Sequence, residues 1–583
     1  MFKNIKKKVL LSNPFLFLLI LLLSLIFRVT NLGLIEFKTD EAINLLLASR
    51  PLFGHPFAPG GTVSSIGILN PPLFTYLLFP LTVISLDPRW ISFSIALINS
   101  ISIAFLFLVI KKYYNKNIAL ISTILMAFSP WAIIYSRKIW TQDLLIPFFV
   151  PFFYSLHKLL IEKKQIFWIP YAIFALFLIQ LHQIIIVFIA IITAFLLLQK
   201  IKINVKYILV GSAIGIVPLI PYALFELNNN CPDCKTFIAA INKFSPQRSF
   251  EIFSRPLQIT SQGGFRFILG NDTLTFAQKF PLIDNLRKVF YLEYLLTPLG
   301  VFIFVKKFKK TKIIAYSVIL LPIAYFLLKL DPFMHYYIII MPILFLFLAT
   351  SLDYLLSNKN LFTRIGAITI LILIIAQSIM FNLSFFKLLE LKQFLEGDYG
   401  RIYSATEKEV KKKLFKFESY SDYNEIFLSS FIPLNYVYGY LPLGEILYGD
   451  TTDNDMVMLE EKLKEKSDDP RIKQELISFY TKDKPDLQTL TLLKEKTLNI
   501  PEYESLYKNV LGEYLWANFK KEYLWHKGGL RLFYPEHWKV EEKNKELIIF
   551  GDGYSLSIDE NRSYISNKKT PVIDDIIESI EPL

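Results

Sequence analysis

Two neighbouring carboxylates, Asp40 and Glu41, stand in the stretch IEFKTDEAINLLLASRPLFG, directly after an apolar run. A carboxylate held just above a bilayer, in a water-poor surround and within reach of a hydroxyl, has the chemistry of a general base. The same placement suits a helix start. Thr39 or Asp40 would cap EAINLLLASR, and the helix dipole favours acids in the first turn. Both readings stand on these residues alone. Cations of the kind that steady a phosphate lie elsewhere: Arg28 at the end of the first apolar run, Arg137 and Lys138 in YSRKIWTQD, and Arg248, Arg255 and Arg266 in a long polar segment. An anionic partner at the membrane surface would account for them. The plainer alternatives are snorkelling for Arg28 and pairing with Asp143 for Arg137 and Lys138. His182 in LIQLHQIII and His335 in MHYYIIIMP, with Tyr336 beside it, interrupt apolar blocks. They lack the tight spacing of metal ligands, so no metal site is expected from them.

These residues need elements to hold them, and the composition says which. The 583 residues are 53% hydrophobic and only 19% charged, with mean hydropathy +0.41. A soluble protein would carry about a quarter charged residues. The apolar excess sits in blocks within residues 1–386, and residues 387–583 read as water-facing protein. The net charge of +13 does not point to nucleic acid. Its lysines cluster between apolar blocks, in FKNIKKK, KKYYNK, QKIKINVK and KKFKKTK, as cytoplasmic loops do. The basic, then apolar N-terminus lacks a small-residue cleavage site and reads as an uncleaved first span.

A span needs about 20 predominantly apolar residues. Candidates lie near 13–33, 89–110, 117–136, 142–161, 166–180, 182–199, 206–227, 287–305, 312–329, 335–356 and 361–383. The segment 71–86 is short and carries Pro80. If it stays in the interface, the lysine-rich loops fall on one side, which orients the chain. The expectation is a mainly α, polytopic helical bundle of about eleven spans with a cytoplasmic N-terminus. The first outer loop, 35–88, would carry interfacial helices, and 228–286 would form a long outer loop. FKTDEA, YSRKIWTQD, LHQ and MHYY then share the outer face.

The tail 387–583 reads as a mixed α/β extracytoplasmic accessory domain. DMVMLEEKLKEK and DPRIKQELISFYTK have helical period, and 529–563 alternates like a small β meander. Cys231 and Cys234, in NNNCPDCKT, are the chain's two cysteines. They fit either a local disulfide or two plain thiols in a turn.

The ordered set of Arg28, TDEA, NPPLFTYLL, FSPWAIIYSRKIWTQDLLIPFF, LIQLHQIIIVFI and MHYYIIIMP resembles the GT-C superfamily of integral membrane glycosyltransferases. The bacterial relatives of protein O-mannosyltransferases and the lipid A aminoarabinose transferase are the members it resembles. The resemblance implies a polyprenyl-phosphate-linked sugar donor, an inverting transfer to a protein, lipid or glycan acceptor, and Asp40 as catalytic base. Family members place His or Lys before the Pro pair where this chain has Asn70, and an Arg three residues after the Asp where it has Ile43. Such chemistry requires no cofactor and is compatible with a divalent cation. A secondary transporter or a non-catalytic envelope-glycan assembly protein are the rival readings. A transporter, however, would show repeats and mid-span charges.

Overall fold

The computed structural model describes residues 13–53, 56–64, 67–243, 249–286, 289–330, 333–407 and, with short interruptions, 520–582. The basic residues before Asn13, Arg248, and the two helical stretches expected between 455 and 482 lie outside the described residues. The chain divides into two units, Met1–Tyr403 and Ser404–Leu583.

The first unit is helical. It opens with α1 (Asn13–Val29), α2 (Thr39–Ser49), α3 (Leu73–Ile84), α4 (Pro88–Tyr113) and α5 (Lys116–Phe128). Next come α6 (Leu145–Leu160), α7 (Trp168–Leu181), α8 (Ile185–Leu198) and α9 (Val205–Ile216). It closes with α10 (Phe290–Lys307), α11 (Lys312–Leu327), α12 (Met341–Leu356) and α13 (Leu361–Lys392). Local chemistry sets the boundaries. Asp87 accepts from the Arg89 N–H and Pro88 occupies the first turn of α4, while Asn115 caps α5 through the Ile118 N–H.

Among the described residues, five helical stretches are long and apolar enough to cross a membrane: Pro88–Tyr113, Thr141–Leu160, Val205–Asn228, Met334–Leu356 and Leu361–Lys392. Each coincides with an expected span. Shorter apolar helices fill five of the other expected positions, and the 18-residue Phe290–Lys307 fills the sixth, so the chain is a multi-pass membrane protein. Helix α3 has 12 residues and carries Pro80. At 1.5 Å per residue it is about 18 Å long, against a hydrocarbon core of about 30 Å. Close helix contacts depend on small residues. A Cβ on Gly300 would lie 1.9 Å from the Phe347 carbonyl, so α10 meets α12 backbone to backbone.

The expected boundary at 386/387 differs from the structural one. Helix α13 runs on to Lys392, and the following segment turns back into the first unit. There Phe37 N donates to Arg401 O (3.0 Å), Tyr403 N to Ile35 O (2.9 Å) and the Tyr399 hydroxyl to Leu34 O (2.6 Å). The segment 228–286 is largely helical, with Pro232–Lys243 its longest helix after Asn228.

In the second unit the strands Lys539–Lys543, Glu546–Gly551, Tyr554–Asp559 and Tyr564–Ser566 form an antiparallel meander. A three-stranded sheet, made of Lys520–Trp525, Leu530–Pro535 and Glu581–Pro582, accompanies it. Leu547, Ile549, Leu556 and Ile558 point inward with Trp525 and Trp538. This is the alternation read from the sequence, and burying each aliphatic side chain stabilises the sheet by about 1.5–3 kcal/mol.

Candidate active site

Asp40 is the second residue of α2, which begins at Thr39 with Lys38 as its N-cap. The Glu41 carboxylate reaches back to the Lys38 N–H (3.1 Å). Glu41 therefore performs the capping that the sequence could have assigned to Asp40. Asp40 is half-buried, and the Trp140 side chain hydrogen-bonds its carboxyl.

The residues before α2 are extended, and Glu36 pairs with Ile402 across an antiparallel bridge. In an extended segment, residues two apart share a side. Accordingly Lys38 Nζ meets Glu36 Oε1 at 2.8 Å, and the same ammonium donates to the Asp398 carbonyl. Lys138 Nζ lies 2.6 Å from Glu36 Oε2 and 3.8 Å from Glu41 Oε1, and 4.6 Å from the centre of the Trp140 ring. Glu36 is fully buried between the two lysines.

The loop that carries Lys138 and Trp140 is fastened at several points. Asn44 of α2 donates to Ile139 O (3.0 Å), Ser92 of α4 to Arg137 O, and Asn99 of α4 to Asp143 O (2.8 Å). The Asp143 carboxylate accepts the Lys138 backbone N–H (2.7 Å). Asp143 thus orients the loop, while the lysine side chain pairs with Glu36 and Glu41.

Burial pushes Asp40 above the ordinary carboxylate value, opposed by the Lys138 and Lys38 charges and by the Trp140 hydrogen bond. Burial, and then the Glu36 charge, push Glu41 up to about 8. Burial works against the Lys138 ammonium, yet Glu36 and Glu41 together hold it well above the ordinary lysine value. The cluster therefore contains one half-buried acid able to take a proton, beside two ammonium groups fixed by one carboxylate.

Trp140 links this cluster to the two histidines. Its ring is 5.2 Å from that of His335, which lies 5.4 Å from His182 and 4.7 Å from Tyr336. Asp40, Glu41, Lys138, His182, His335 and Tyr336 thus gather in one region. Arg255 sits on a short helix packed against the 3-10 helix of His335. It pairs with Glu251 (2.6 Å) and Gln258 (2.7 Å). Arg266 is exposed.

Three expected contacts are placed otherwise. Arg28 is fully buried and donates to the carbonyls of Ser24, Ala127, Met126 and Ala132. Arg137, also buried, donates to Phe27, Thr30 and Asn31 carbonyls and lies over the Phe386 ring. Neither snorkels, and neither pairs with Asp143. Both satisfy carbonyls at helix ends that the bilayer could not hydrate. Asn70 donates to the Thr62 hydroxyl (3.1 Å) within a hairpin closed by Gly61 N to Asn70 O (2.7 Å).

Glu36, Lys38, Trp140 and Asp398 are members of the cluster that motif reading did not single out. The first two sit inside the stretch that carries Asp40, so their charge was a signal. Cys231 and Cys234 are joined as a disulfide. The Asp233 carboxylate between them accepts the Leu69 N–H (2.9 Å) and the Tyr222 hydroxyl (2.7 Å). Among the described residues, the one set of three potential ligands close enough for a metal is Glu226 with these two bonded cysteines.

A multi-span helical unit with a carboxylate on the first connection is the architecture expected of a GT-C enzyme. Residues 70–225 match the family model described as dolichyl-phosphate-mannose-protein mannosyltransferase, which supports the GT-C superfamily for the membrane unit. No curated protein matches the chain as a relative. Among solved structures, the chain is similar to the archaeal oligosaccharyltransferase AglB from Archaeoglobus fulgidus in complex with an inhibitory peptide and a dolichol-phosphate. That match has 13% identity and a TM-score of 0.38, over 71% of this chain and 59% of that one. It is also similar to an Archaeoglobus fulgidus oligosaccharyltransferase in complex with Zn and sulfate, at 15% identity and a TM-score of 0.36, over 70% and 56% of the two chains. This chain thus spans little more than half the length of those two proteins.

Proposed function

We propose that the protein is a membrane glycosyltransferase that moves a sugar from a polyprenyl-phosphate donor to an acceptor hydroxyl at the outer membrane face, with inversion. The acceptor oxygen attacks the anomeric carbon and its proton passes to Asp40. The bond from that carbon to the phosphate oxygen breaks, and the electron pair leaves with the lipid phosphate. A phosphate is already a good leaving group, so no general acid is needed, but developing negative charge calls for a cation. The supporting observation is the half-buried Asp40 carboxylate beside Trp140 and two fixed ammonium groups. Base catalysis of this kind contributes about 100- to 10,000-fold in rate.

In this reading the N-terminus is cytoplasmic and the C-terminal unit is extracytoplasmic, acting in acceptor recognition. The acceptor is a protein, lipid or glycan. No cofactor is required, and added divalent cation is compatible with the step. His182, His335 and Tyr336 form the aromatic wall for sugar or acceptor. The test is purified protein in proteoliposomes with radiolabelled polyprenyl-phosphate mannose and a cell-envelope extract as acceptor. Consumption of the donor with an inverted product supports the proposal. Solute counterflow without donor consumption would replace it with a transporter.

A further inference from the structure

We infer that Lys38 is the cation that receives the departing lipid phosphate, an inference that rests on the transfer proposed above. As the bond between the anomeric carbon and the phosphate oxygen breaks, charge collects on the phosphate. It needs an ammonium or guanidinium with a spare N–H and an open approach.

Four other cations fail one condition or the other. Arg28 and Arg137 are 0% and 1% exposed, with their guanidinium groups directed at backbone carbonyls. The Lys138 side chain is 5% exposed and its ammonium lies between Glu36 and Glu41. Arg255 is engaged by Glu251 and Gln258.

Lys38 meets both conditions. Its side chain is 38% exposed and it stands two residues before Asp40. Lys138 and Lys38 are the cations that act most strongly on Asp40. An ammonium has three N–H donors. One faces Glu36 Oε1 and one the Asp398 carbonyl, which leaves a third for a phosphate oxygen. Those two anchors also fix the direction of the side chain, so little rotamer freedom remains to be lost when the ligand arrives.

The surrounding charge fits a site that binds and then releases. Glu36 shares its single negative charge between two lysines. Glu41, pushed up to about 8, acts on the Lys38 ammonium less than Glu36 does. Asp398 does compete, because its carboxylate acts electrostatically on Lys38. During the step the acceptor proton goes to Asp40, which removes one negative charge from beside the leaving group. Lys38 stays protonated throughout and pairs with the phosphate that carries off the electrons.

The experiment is equilibrium binding of a radiolabelled polyprenyl monophosphate to the full chain in nanodiscs, with donor consumption measured in parallel. Lys38→Met is expected to weaken binding by about 10- to 100-fold, the value of one charge-assisted hydrogen bond. Lys38→Arg should keep binding near wild type, and Asp398→Asn should tighten it. Unchanged binding in Lys38→Met, with transfer intact, overturns the role of Lys38 and leaves the transfer standing. If wild-type protein neither binds the phosphate nor consumes donor, the transfer itself falls. Should Lys38→Met fail to insert, Asp398→Asn decides the matter: unchanged or weaker binding there overturns the inference.

Discussion

Lysine–carboxylate clusters of opposite character stand near the two ends of α4 and α6. Just beyond the last turns of these helices, Glu162 takes Lys158 (2.7 Å), Lys112 (2.9 Å) and Lys164 (3.6 Å), with a hydrogen bond from Tyr113. At the first turns, Glu36 and Glu41 take Lys38 and Lys138. The Glu162 side chain is 23% exposed, and hydrogen bonds from Lys158, Lys112 and Tyr113 hold it down at about 2. Glu41 is sealed in, and burial with the Glu36 charge pushes it up to about 8. Burial decides the sign: ion pairs keep the partly exposed Glu162 charged, whereas burial outweighs the lysine charges on Glu41.

The largest effect should separate the two ends outright. Asp40→Asn is expected to lower transfer by about 100- to 10,000-fold while the protein stays inserted. Glu162→Gln should leave the rate within about twofold, since nothing at that end faces the reaction. Initial rates from matched proteoliposomes check both.

Stability should follow the same division. Lys138→Met leaves buried carboxylates under-compensated and is expected to cost about 3–5 kcal/mol. Lys112→Met, at the exposed end, should cost about 0–1 kcal/mol. Thermal unfolding in detergent measures both, and equal losses would erase the distinction between the clusters.

A smaller effect concerns pH. Because folding raises the Glu41 pKa, its contribution is fully present below the ordinary glutamate value and is lost as pH rises through about 8. Glu41→Gln should therefore flatten the decline in Tm on the alkaline side of neutrality. Glu162 has the opposite sign: its contribution is present above the ordinary value and is lost as pH falls toward about 2. Glu162→Gln should lower Tm by the same small amount across the neutral and alkaline range and flatten its decline on the acid side.

Much of the fold was legible because a bilayer imposes length and polarity together. The block from Ile166 to Leu198 divides at Leu181–His182, where the polar interruption LHQ stands. The short, Pro-containing stretch 71–86 forms a 12-residue helix. The site was legible in its residue types and less so in its roles. Asp40, Lys138, His182, His335 and Tyr336 come together as their unusual positions suggested. Arg28 and Arg137 did not reveal their carbonyl partners, because those carbonyls belong to other helices. Apart from Ser24 on its own helix, the Arg28 partners lie 98 to 104 residues away. Glu36 and Lys38 were visible as charges, but their inward turn depends on pairing with a segment about 365 residues later in the chain. No local pattern encodes that pairing. Asp398 enters for the same reason, through a turn after the last helix that sequence alone left in the accessory domain.

The most direct test of Asp40 as the base is the pH dependence of kcat/KM for sugar transfer. The expected result is a single acid limb whose midpoint lies above the ordinary carboxylate range, in line with the burial of Asp40, and which is missing from the residual activity of Asp40→Asn. A wild-type rate that runs flat through that range, or the same limb persisting in Asp40→Asn, would contradict it.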